Sequence, residues 1–206
     1  MEKIIIILAV SLSGYLQAQD TYEVRMKNGM QLWEQGKIDE ATVLMEQIAI
    51  DEKDNWLPNY YIALVNTTEA FKTKDYNRLS FLLEKAGTAL GKEMDKKSQN
   101  VELLVMQAMI HTAWIAYDPM TYGQILSPKV KELYKQAENI DPNNPRLVYA
   151  LAEFDLGTAQ FFGTETQPIC LRIERSIELF DNFKPTSPFH PNWGKKQAQE
   201  SLSNCK

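Results

Sequence analysis

At 206 residues, 44% apolar and 24% charged, the chain has the length and composition of one globular domain with its own core, not of a disordered segment. A formal net charge of −5 disfavours a phosphate-binding surface for nucleic acid. Lys92, Lys96 and Lys97 do cluster, but Glu93 and Asp95 lie among them, so this stretch reads as a solvated linker.

The chain opens on Met1-Glu2-Lys3, followed by the apolar run Ile4 to Val10, then small and polar residues up to Leu16-Gln17-Ala18-Gln19. A charged start, a short apolar run and a small residue at the cut describe a secretory signal, expected over 1–18 with cleavage after Ala18. Leu16 is bulky for its place, so the cut could slip by a residue, and an uncleaved N-terminal helix is the alternative. The apolar run falls short of the roughly 20 residues that a spanning helix needs. No cysteine follows it to carry a lipid. The expectation is therefore a periplasmic or secreted protein with no transmembrane span in its mature part, 19–206.

Apolar residues then recur at helical spacing on both sides of Gln35-Gly36-Lys37, predicting helices over 21–35 and 38–51 with the glycine ending the first. Small Gly29 and Ala41, one in each helix, would let the pair approach closely. A second pair is predicted over 57–72 and 75–90. After the lysine-rich link, Ser98 is read as the cap of a helix over 99–117, and Ser127-Pro128 as the start of its partner over 128–140. That leaves Asp118-Pro119-Met120-Thr121-Tyr122-Gly123 in an enlarged turn, 118–125. Asn144-Pro145 is a cap followed by a proline at its tolerated first position, opening a helix over 145–159. A second enlarged turn, 161–167, leads to 168–183, and a proline-rich connector leads to a polar last helix, 193–204.

The small-Gly-Ala pattern of Gly29, Gly36 and Ala41, and the turn Asn139-Ile140-Asp141-Pro142-Asn143-Asn144-Pro145, resemble the tetratricopeptide repeat. Arg25, Asn28 and Lys53 depart from that pattern. The resemblance implies an all-α, right-handed solenoid of about four helix pairs (about 21–51, 57–90, 99–140 and 145–183) closed by a capping helix. More narrowly, Asn144-Pro145-Arg146, Phe162-Gly163 and His190-Pro191-Asn192-Trp193-Gly194 resemble the last repeat of small exported tetratricopeptide-like proteins of Bacteroidota. Gln17-Ala18-Gln19 likewise resembles the ends of export signals from that group. Thr164-Glu165-Thr166 stands where that group tends to have glycines.

Cys170 and Cys205 are the two cysteines, and export into an oxidising compartment makes them candidates for a disulfide. If 168–183 and the last helix run antiparallel, both arms are roughly 18–20 Å long and the sulfurs could meet at one end. Two free thiols are the other reading. His111 and His190 have no zinc-ligand spacing, and Asp51-Glu52-Lys53-Asp54 lacks the alternating ligands of a calcium loop. No nucleophile elbow, phosphate loop or dinucleotide fingerprint appears, so neither cofactor nor metal is expected and the chain reads as no enzyme. A Cys170–His190 catalytic pair would require a free thiol. Asn66-Thr67-Thr68 falls within a predicted helix and reads as a chance glycosylation match.

By the family's spacing, Met26, Met30, Trp33, Tyr61, Leu64 and Phe71 would lie on or near a concave groove, where methionines and aromatics suit peptide contacts. The bland alternative is that they fill the layers between repeats, and the two enlarged turns, 118–125 and 161–167, are alternative contact points. The function expected from the resemblance is a protein- or peptide-binding scaffold of the cell envelope. The alternative is a small-molecule-binding accessory of an envelope transport system.

Overall fold

The computed structural model describes residues 22–97 and 99–205, and among them every regular element is a helix. The expected signal over 1–18 and the Ser98 cap lie outside the described residues. In chain order the helices are α1 (22–34), α2 (Ile38–Asp51), α3 (Leu57–Ala70), α4 (Tyr76–Met94), α5 (Val101–Tyr117), α6 (Pro119–Ile140), α7 (Pro145–Phe162), α8 (Gln167–Asn182) and α9 (Lys195–Ser203).

Local chemistry accounts for most helix ends. Gly36 takes φ +75° after α1, and the Lys37 N–H reaches back to the Leu32 carbonyl, giving the left-handed stop that the sequence predicts. Asp75 and Asn100 accept from the backbone N–H groups of Arg78 and Glu102, starting α4 and α5. Gly163, at φ +67°, closes α7.

One expectation fails clearly. The enlarged turn 118–125 is not a turn: α6 begins at Pro119, and Asp118 alone separates it from α5. The Asp118 carboxylate accepts from the Thr121 N–H at 3.1 Å, and Pro119 occupies the first helical position. The cap-then-proline signal read at Ser127-Pro128 thus operates nine residues earlier. Pro128 lies inside α6, exposed, where the backbone carbonyl that loses its helical donor can turn to water. The second turn also shrinks, to 163–166, because α7 runs on to Phe162.

Successive helices pack as pairs, α3 with α4, α5 with α6 and α7 with α8, while α3, α5 and α7 also touch one another in order. Helix α3 is buried along almost its whole length, from Leu57 to Thr67, which suits its apolar and small residues on every side. Ala41 is fully buried, and a side chain at Gly29 would meet Met45 at 3.2 Å, so the small pair does set the approach of α1 and α2. Three apolar clusters follow along the stack, spanning α1 to α5, α5 to α7, and α7 to α9. Trp193 packs on both the first and the third, joining the far end of the chain to its beginning.

Candidate functional site

An open groove was expected at Tyr61, and here the C-terminal connector packs over that residue. Tyr61 donates its hydroxyl hydrogen to the Phe189 carbonyl at 3.1 Å, and the Phe189 ring meets Tyr22 edge-on at 5.7 Å. Trp193 donates from Nε1 to the Tyr60 hydroxyl at 2.7 Å. Burial pushes the Tyr60 and Tyr61 phenols well above their usual range, and raises Tyr22 to about 12.

Under the connector lies a buried ion pair. Arg146 grips Glu102 with two hydrogen bonds, Nε to Oε2 at 2.7 Å and Nη2 to Oε1 at 2.6 Å. Asn144, while capping α7 with its side-chain oxygen, donates from Nδ2 to the same Glu102 at 2.8 Å. The Phe183 ring covers the guanidinium at 4.3 Å, a cation–π contact beside the one guanidinium nitrogen with no polar partner among the described residues. His190 stands 4.0 Å from Glu102. Burial lowers its pKa, Glu102 raises it and Arg146 lowers it again, with burial the largest of the three. Asn144, Arg146, His190, Trp193 and Gly194 of the two quoted motifs therefore serve one structural purpose, which is to seat the connector. The member that sequence reasoning missed is Glu102, whose only signal is its place on the otherwise apolar start of α5.

Gly194 sits at φ +111°, and a Cβ there would lie 2.6 Å from the Phe180 ring. Gly194→Ala is expected to cost about 2–3 kcal/mol from backbone strain and overpacking. A chemical denaturation midpoint shifted down, with the slope unchanged, would check it.

Of the six residues expected on the groove, Met26, Tyr61 and Leu64 are buried in the core and present no surface to a partner. The inward faces of α1 and α3 pack against α2, α4 and α5, and the connector covers Tyr61. Met30 and Trp33 are half-buried against that core, and Phe71 is exposed. Cys170 and Cys205 are joined in a disulfide, with their Cα atoms 5.9 Å apart, so no free thiol faces His190. Asn66 is buried and donates to Thr42 and to the Ile62 carbonyl, which leaves its amide unavailable for glycosylation. Among the described residues no cluster of three or more His, Cys, Asp or Glu is arranged to hold a metal. Nor is any helix among them long and apolar enough to cross a membrane.

The open apolar surface lies instead at the turns within pairs. Where α3 meets α4 and α5 meets α6, Trp114 packs 6.2 Å from Tyr76 and 5.0 Å from Tyr122, and Tyr117 lies 6.1 Å from Tyr76. Tyr76 is 51% exposed, Phe71 40% and Met120 81%. Desolvation, then a hydrogen bond with Tyr76, raises the Tyr122 phenol. One-residue tightness at Asp118 brings this cluster together, because it carries the first turns of α6 directly onto the end of α5. The next such turn presents the adjacent rings of Phe161 and Phe162, both exposed.

No family model and no curated protein matches the sequence. The fold does have a solved counterpart. The chain is similar in structure to the HusA haemophore from Porphyromonas gingivalis, with a TM-score of 0.77 and 22% sequence identity over 89% of this chain and 92% of that one. The two share an all-helical fold across nearly their full lengths.

Proposed function

We propose that this chain is a non-enzymatic binding protein of the cell envelope, built as a tetratricopeptide-like right-handed stack, that holds a flat, largely apolar small molecule on the aromatic edge. The observation that carries this reading is the cluster Tyr76, Trp114, Tyr117 and Tyr122, mutually packed yet partly open, with Met120 beside it. Rings tilted against one another are held in place by their own packing and leave partly open apolar faces for a ligand. Support comes from the fold shared with a haemophore, which makes haem the first ligand to try. Envelope placement rests on the signal-like start of the sequence.

Haemin and protoporphyrin IX titrated against the purified protein, followed in the visible absorbance band, test the reading. Binding is expected, and Trp114→Ala/Tyr122→Ala should weaken it at least tenfold. Unchanged affinity in that variant would remove the aromatic edge from the proposal. A protein- or peptide-binding scaffold is the second reading, and Phe161 and Phe162 favour it, since two adjacent exposed rings are a common feature of docking surfaces. Phe71, Met30 and Trp33 would belong to such a surface before the buried members of the expected set.

A further inference from the structure

Helices α2 and α4 flank α3, and long side chains bridge them in a regular ladder. Arg78 donates to Asp39 at 3.1 Å and Lys85 to Glu46 at 2.9 Å, each pair 39 residues apart in sequence. Each rung takes its acid from α2 and its base from α4. Beyond the end of α2, Lys53 in the turn and Lys92 of α4 are also 39 residues apart, and there a base stands where the series would place an acid. Neither has an ion-pair partner among the described residues. Lys96 lies at the same place, donating to the Lys53 carbonyl at 3.0 Å and pairing with the buried Glu93 at 3.6 Å.

These lysines stand around a groove of about 700 Å³ between α2 and α4. That volume falls within the roughly 300–1,000 Å³ of small-molecule sites. Its lining carries Lys53, Lys85, Lys92 and Lys96 against Glu46 and Glu84, a positive balance in a chain whose formal net charge is −5. Ile62 of α3 lies at its base, and Ile50 and Phe81 stand exposed on its two sides. The Lys53 and Lys92 ammonium groups on this rim have no carboxylate partner among the described residues, and an anion between them would gain charge-assisted hydrogen bonds from both.

We propose that the α2–α4 groove binds an anionic amphiphile, with its head group between Lys53 and Lys92 and its apolar chain along Ile50, Ile62 and Phe81. The site is separate from the aromatic edge and stands or falls without it. A carboxylate or a phosphate head would satisfy the lysines equally well in charge, so the test includes both.

Laurate and dodecyl phosphate, below their micelle concentrations, are titrated into the purified protein by calorimetry, with dodecanol and dodecyltrimethylammonium as neutral and cationic arms. At least one anion is expected to bind, at least tenfold more tightly than the alcohol, and the tighter anion identifies the head group. Lys53→Gln/Lys92→Gln should weaken that anion at least tenfold while leaving the thermal melt and the haemin titration as in the parent. Phe81→Ala should weaken it too, with the preference for anion over alcohol retained. Equal binding of cation and anion, anion binding untouched by the lysine substitutions, or no anion binding up to millimolar concentration would each overturn the proposal.

Discussion

Glu102→Gln is expected to lower the stability of this protein by about 3–5 kcal/mol, the cost of leaving a buried charge without its partner. Arg146 is fully buried and Glu102 nearly so, which keeps water from replacing the lost carboxylate. Glutamine keeps the shape and offers one oxygen, but cannot neutralise the guanidinium or accept from Nε, Nη2 and Asn144 together. The change also removes a negative charge from the first turn of α5, where it complements the helix dipole. Urea denaturation measures the loss. Adding Arg146→Met to Glu102→Gln should recover much of it, because two neutral side chains leave no orphaned charge. A loss below about 1 kcal/mol for the single change would mean that the pair is hydrated.

Reducing the Cys170–Cys205 bond is expected to cost about 3–4 kcal/mol in the chain-entropy model, because it releases a closed loop of 35 residues in the unfolded chain. The folded state should change less, since α9 also packs on α8 through Ala198, Leu202 and Ile173. Lys195 adds an ion pair to Asp181. Guanidinium unfolding with and without reductant checks both parts. The midpoint should fall while the native tryptophan fluorescence stays close to that of the oxidised form. An unchanged midpoint would show that the bond does not form.

Helix count and order were legible because the sequence punctuates them strongly. Gly36 and Asn144-Pro145 each carry a backbone conformation or a cap that few other residues supply. The long α6 was not legible, because two cap-then-proline signals, Asp118-Pro119 and Ser127-Pro128, compete within one stretch. The earlier one wins by capping directly onto Thr121, and the later proline is accommodated on an exposed face. Three of the six groove residues, Met26, Tyr61 and Leu64, are buried for a different reason. Repeat spacing tells which way Tyr61 points, but not that residues more than a hundred positions later return to cover it. The aromatic edge was legible as a contact region at 118–125, but not as a packed cluster, since a loose turn would not hold Tyr122 against Trp114. Glu102 could be found only from the fold, as the two residues that bond its carboxylate, Asn144 and Arg146, lie over 40 residues away.

A stack of helix pairs with free ends tends to lose its pairs one at a time, because each touches only its neighbours. Here Trp193 is bonded to Tyr60 and Phe189 to Tyr61, across 133 and 128 residues, so the last pair cannot leave without uncovering the second. The connector thereby couples distant parts into one cooperative unit. It also limits insertion, since a further helix pair between Tyr60 and Trp193 would carry the two out of reach of each other.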